Sequence, residues 1–220
     1  ITKVGNIAAT ELSAYLAKLY PSFSFPVTHT PASDKRILLR VDPAGKDLPE
    51  NPEGYVVSAD ENQAVIRSKC EVGLLHGVYG LLEHLGVGFY LSEEILPAPA
   101  KEFSFKGWQL RNEPLIKDRY VFNWHNFLSG CTGWDEAHWL EWVGRSRKMG
   151  YNSIMVHAYF NNPMHTYSFN GVAKRNGAYA TSAVGRDWGC IPMNDIRRLP
   201  GGEMFEGPVI GCKAAMGSEG

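Results

Sequence analysis

The chain has 220 residues, of which 44% are hydrophobic and 20% charged, a balance that excludes a disordered or collagen-like polymer. Lys and Arg total 22 against 23 Asp and Glu, so the formal net charge is −1, with neither the basic excess of a nucleic-acid binder nor an acidic tail. The length is long for one small domain and short for two large ones, and a globular chain of this size buries about 70% of its unfolded surface.

The first third predicts a compact α+β unit. Between Ala8 and Leu19, apolar Leu12, Tyr15, Leu16 and Leu19 fall at i, i+3, i+4 and i+7, one face of a helix that Pro21 closes. Phe25 to Thr30 and Arg36 to Asp42 read as short β runs, and the Pro- and Gly-rich stretch from Asp42 to Asn51 reads as loop. Gly54 to Ala59 and Ala64 to Lys69 are two more strands, joined as a hairpin by Asp60-Glu61-Asn62. A second helix is expected from Glu71 to Leu85, with Val72, Leu75, Tyr79 and Leu82 as its buried stripe and Gly86 closing it. Gly73, Gly77 and Gly80 each cost a helix about 1 kcal/mol relative to Ala, so together they predict a backbone pressed close to the sheet. Leu91 to Lys101 reads as a linker, with Glu93-Glu94 as its solvated face, and His76 and His84 read as structural histidines.

After Phe103 the texture changes, and five of the six tryptophans fall between Trp108 and Trp142. Arg119 to Phe122 is a short strand running into Asn123, Trp124, His125 and Asn126. Asp135 caps a helix to Met149 with Trp139, Trp142, Val143 and Met149 inward, Gly150 follows it, and Asn152 to Tyr159 is again β. The order β, α, β predicts a crossover joining parallel strands. From Asn161 to Gly220 there is no clear periodicity, which predicts a long irregular segment.

The chemistry sits at the strand ends. Parallel α/β architectures bind ligands at the C-terminal edge of the sheet. Here that edge would gather Asn123, Trp124, His125 and Asn126 from one strand and His157 and Tyr159 from the next. Amides and imidazoles bond hydroxyls in either sense, and a Trp face stacks on a sugar ring. Singly, Asn123 and Asn126 would cap turns and Trp124 would be core; grouped at one edge they point to a carbohydrate. Arg119 pairs with Asp118 at the strand base or reaches a ligand. Cys70, Cys131, Cys190 and Cys212 have no metal-ligand spacing, so no metal is expected, and disulfides are permitted without being required. Ser129-Gly130-Cys131 lacks a local base, and there is no P-loop, GxGxxG or HExxH. No apolar stretch of about 18 residues occurs, so no membrane span is expected, and no signal peptide is legible at the N-terminus.

Two segments carry a family resemblance. The run Gly73-Leu74-Leu75-His76-Gly77-Val78-Tyr79-Gly80-Leu81-Leu82-Glu83-His84-Leu85-Gly86, after Glu53 to Val57 and Ala64 to Arg67, resembles the small α+β domain that precedes the barrel in many glycoside hydrolases. It is shared by β-N-acetylhexosaminidases, family 67 α-glucuronidases and α-N-acetylglucosaminidases. Arg119-Tyr120 through Asn123-Trp124-His125-Asn126 is similar to the first-strand sugar motif of the α-glucuronidases. Trp134-Asp135, Trp139, Trp142 and Gly150-Tyr151-Asn152 are closer in spacing to the α-N-acetylglucosaminidases.

The resemblance covers roughly residues 50 to 160. It implies an α+β accessory domain (1–103) followed by the start of an α/β, TIM-type barrel (104–220), with no cofactor. The substrate would be an oligosaccharide or polysaccharide containing uronic acid or N-acetylhexosamine, met outside the cytoplasm or in the periplasm. A barrel takes about 250 residues, and Ile116 to Gly220 supplies 105. The expectation is therefore the N-terminal part of a larger hydrolase, with its catalytic carboxylates on later strands. Arg119, Asn123, Trp124, His125, Asn126, His157 and Tyr159 would then contact substrate. The rival expectation is a non-catalytic carbohydrate-binding or cell-surface interaction module.

Overall fold

A computed structural model describes residues 3–28, 35–123, 136–155 and 166–175. The chain divides into two compact units, one of Ile1–Arg119 with Lys148–Gly150, the other of Tyr120–Arg147 with Tyr151–Gly220.

The first unit is a four-stranded sheet with two helices on one face. Helix α1 (Lys3–Leu19) buries Ala8, Leu12, Tyr15, Leu16 and Leu19, the expected stripe. Strands β1 (Arg36–Val41), β2 (Tyr55–Ala59) and β3 (Gln63–Ser68) are followed by helix α2 (Glu71–His84). β2 and β3 form the predicted antiparallel hairpin, turned by Asp60, whose Oδ1 accepts from the amides of Asn62 and Gln63 at 2.8 and 2.7 Å. β1 joins β3 in parallel, Leu38 opposite Val65. Burial alternates along β3, with Ala64, Ile66 and Ser68 turned in, as a sheet covered on one face requires.

Helix α2 starts where Cys70 accepts from the Gly73 amide through Sγ, and ends at Gly86, whose φ of +95° lets the Val87 amide reach back to Leu82 O. Its glycine stripe does what the spacing predicts. A Cβ on Gly77 would stand 2.7 Å from Ile66 Cγ2, and one on Gly73 or Gly80 would overlap Ser68 Oγ or the Tyr55 hydroxyl. The buried arc is wider than the expected stripe, taking in Leu74, Val78 and Leu81. The helix has α1 on one side and the sheet on the other. Val72 falls outside that arc and is 40% exposed.

Three further expectations change. Phe25 to Thr28 is not a strand; the Phe25 carbonyl accepts from Ser13 and its ring packs edge-on to Phe103 at 5.1 Å. Residues 29 and 30 lie outside the described residues. The stretch expected to be a linker, Leu91 to Lys101, contributes β5 (Glu94–Ile95) to a short hairpin with the preceding β4 (Gly88–Phe89), and Phe89 anchors that hairpin in the core, edge-on to Tyr15 and Tyr79. Finally, Trp108 belongs to the first unit's core, 1% exposed beside Phe103 and Phe105. Strand β6 (Leu110–Asn112) adds to the sheet beside β2, so this unit runs past residue 103 to Arg119.

In the second unit β7 (Tyr120–Phe122) pairs in parallel with β8 (Ser153–Met155), with α3 (Glu136–Lys148) between them in sequence. That is the predicted crossover. Trp142 is buried and meets Trp139 edge-on at 5.7 Å, whereas Val143 is 37% exposed. The Ser146 hydroxyl bonds back to Trp142 O at 2.7 Å. The Tyr151 amide closes on Ser146 O across Gly150, whose φ is +84°. Met149, expected inward, is 38% exposed. The tail is not wholly irregular. β9 (Thr166–Phe169) and β10 (Val172–Arg175) form a hairpin through Asn170 and Gly171, both at positive φ. Asn-Gly is the favoured pair for such a turn, so that signal was present in the sequence.

Candidate functional site

The edge expected to carry chemistry begins at Asn123. β7 and β8 pair as Tyr120 with Ser153, Val121 with Ile154 and Phe122 with Met155. Their C-terminal ends therefore share one edge, and half-buried Asn123 is the first residue past β7. Trp124, His125, Asn126, His157 and Tyr159 lie outside the described residues.

Arg119 stands elsewhere. It precedes β7, so the three residues of that strand separate it from Asn123, four steps or about 13 Å at strand rise. Its guanidinium is engaged by the protein. Nε donates to Gly150 O at 2.6 Å, Nη1 to the carbonyls of Ile116 and Lys117 at 2.8 and 3.2 Å, and Nη2 to Glu53 Oε2 at 2.5 Å. All three guanidinium nitrogens thus donate to protein acceptors. The fork joins Glu53, the Ile116–Lys117 turn and Gly150, all within the first unit.

Around that ion pair the first unit forms a cleft of about 200 Å3, walled by Glu53, Tyr55, His76, Glu83, Asn112 and Arg119 among others. His76 projects from α2, its side chain 10% exposed. Its Nδ1 lies 3.3 Å from Glu53 O and 4.0 Å from Glu53 Oε2. A carbonyl can only accept, so the ring carries its proton on Nδ1 and offers a lone pair at Nε2. Burial pushes the imidazole below its ordinary value, outweighing the pull of Glu53. Glu83, two turns further along α2, is exposed as a residue, yet crowding around its carboxyl pushes its pKa up. Burial raises the Tyr55 phenol as well. The cleft carries ionisable side chains of both signs on a largely apolar wall. Among the described residues no three His, Cys, Asp or Glu side chains group as metal ligands.

A second cluster in this unit has no signature in the sequence. Lys148 Nζ lies 2.6 Å from Glu94 Oε1 and 3.8 Å from Glu11 Oε2, and donates to the Tyr15 hydroxyl at 2.8 Å. Tyr15 in turn donates to Glu94 Oε2 at 2.5 Å. Glu94, expected to be solvated, is three-quarters buried at its side chain. That burial raises its pKa, but the bonds from Lys148 and Tyr15 outweigh it and leave the carboxyl below its ordinary value. Glu11 and Tyr15 lie one turn apart on α1, and only the tertiary fold brings Glu94 and Lys148 to them.

Compared with known proteins, the chain matches no family model and no curated sequence. Among the described residues no helix is long and apolar enough to cross a membrane.

Proposed function

We propose that this chain forms the accessory unit and the first barrel elements of a carbohydrate-active glycoside hydrolase. Its substrate is a glycan containing uronic acid or N-acetylhexosamine. The observation that carries the reading is the parallel β7–α3–β8 unit with Asn123 at the C-terminal end of β7. An amide at that edge suits a sugar hydroxyl, since it donates and accepts at once.

In this reading the accessory unit is the α1–α2–sheet assembly. Asn123, Trp124, His125, Asn126, His157 and Tyr159 contact the sugar, and the acid and nucleophile come from later strands as a pair of carboxylates flanking the glycosidic bond. Arg119 is occupied by Glu53 and Gly150 instead of touching the sugar. The enzyme acts outside the cytoplasm or in the periplasm, where such glycans are met.

The test is glycan hydrolysis by the complete protein, read as released uronic acid or N-acetylhexosamine. Substituting Asn123→Ala should lower kcat/KM at least about tenfold, the loss of one good hydrogen bond in the transition state. Saturable glycan binding with no released sugar from any aryl glycoside or polysaccharide would replace this reading with the non-catalytic module.

A further inference from the structure

Among the described residues the sheet of the first unit ends on one side at β1, which pairs there with β3 alone. The Arg36 amide donates to Asn62 O and the Asp42 amide to Ser68 O, so the even-numbered residues of β1 direct their backbone groups at β3. Ile37, Leu39 and Val41 therefore present N–H and C=O to the open side, and among the described residues none of them has a backbone partner there. A six-residue edge strand with three residues offering open backbone groups is a template for another strand.

The side chains along this edge say which strand fits. Ile37 and Leu39 lean on the core, whereas Leu38 is 40% and Val41 38% exposed. Arg36, Leu38 and Arg40 share the outer face. Arg40 is exposed, pairs across with Arg67, and has no acidic partner among the described residues. Arg67 is already matched by the carboxylates of Asp42 and Asp47. Exposed Arg40 and Lys35 put positive charge at the edge itself. Two copies paired antiparallel about Leu38 would set Arg36 against Arg40 twice, an arrangement that like charges disfavour.

We infer that β1 is a docking edge for an extended acidic segment of a partner protein, added to the sheet as a fifth strand. The segment places Asp or Glu across from Arg36 and Arg40 and an apolar residue across from Leu38. Main-chain bonds supply affinity and the alternating side chains supply selection. The same arginines that admit an acidic strand turn away a second copy of the chain.

The probe is a fluorescein-labelled peptide, Thr-Glu-Thr-Val-Thr-Glu-Thr, titrated with the whole protein and read by anisotropy. Saturable binding is expected. N-methylation of alternate backbone amides, made in each of the two phases, should lower affinity about tenfold or more in one phase, because one set of amides faces β1. Arg40→Glu should weaken the acidic peptide at least about fivefold and gain binding to the version with Lys in place of Glu, which also shows that the variant is folded. Both N-methylated peptides binding as tightly as the parent would overturn the inference, since charge alone would then explain the affinity. So would absence of saturable binding. A dimer in sedimentation velocity that Leu38→Glu dissolves would overturn it in favour of self-pairing.

Discussion

Arg119 Nε donates to the Gly150 carbonyl at 2.6 Å, and Gly150 stands three residues before β8 just as Arg119 stands one before β7. One guanidinium thus ties together two stretches of the first unit that are far apart in sequence. Its other arm holds Glu53 at 2.5 Å, with the Arg side chain 17% exposed. Removing it leaves a half-buried carboxylate and three carbonyls short of a donor. Arg119→Ala should destabilise the protein by about 1–3 kcal/mol. Arg119→Lys should recover only part of that, because a point charge cannot serve four acceptors. Urea unfolding of the three proteins measures it.

The glycines of α2 and α3 predict opposite signs for one substitution. In Gly144 of α3 a new Cβ meets nothing within 4 Å, so Gly144→Ala should stabilise by up to about 1 kcal/mol through helix propensity. Gly77→Ala has the same propensity gain but drives Cβ into Ile66 and Tyr55, and should destabilise by about 1–3 kcal/mol. Denaturant midpoints at constant slope decide the matter.

His76 predicts a pH dependence. Its folded-state pKa lies below 6.5, so the folded protein favours the neutral ring. The unfolded chain binds the extra proton first as pH falls. Stability contributed by His76 is therefore complete above pH 6.5 and is lost as pH drops from there through the folded value. His76→Asn keeps a donor towards Glu53 O without a titrating group. Its stability should change less than the wild type's between about pH 7.5 and about pH 5, a window that brackets the ordinary histidine range. Equal slopes for the two proteins would show that the buried ring is not what titrates.

Lys148 and Glu94 form a coupled pair. Either Lys148→Met or Glu94→Gln alone should cost about 1–3 kcal/mol, because each leaves a partly buried partner unmatched. The double variant should lose less than the sum, by about 0.5–3 kcal/mol for residues in contact. Glu94 adds an acid-side signature. Its folded pKa is below 4.5, so its contribution is present above pH 4.5 and fades as pH falls through the folded value. Glu94→Gln should remove that part of the acid sensitivity.

Local signals carried most of the first unit. The i, i+3, i+4 stripe of α1, the Asp60 turn and the glycine ladder of α2 each act through near neighbours or a backbone contact that only one residue type permits. The features that escaped depend on distant partners. Glu94 looks like a surface acid until Tyr15 and Lys148 meet it, and Trp108 joins a core set by Phe103 and Phe105. Arg119 shows the same limit at the site: its side-chain chemistry suits a ligand, and only the positions of Glu53 and Gly150 reveal what it holds. The parallel crossover was legible because helix and strand periods alternate over a short span.

The first unit is discontinuous in sequence: after Arg119 the chain leaves it and returns only for Lys148–Gly150. A protein cut after Arg119 would keep the sheet and both helices. It would lack the ammonium that neutralises Glu94 and the carbonyl that Arg119 grips. Expressed that way, the unit would carry an open acidic seam, which a short peptide spanning 148–150 could reseal in trans. In synthesis these two contacts are therefore the last of the unit to close, once α3 has emerged from the ribosome.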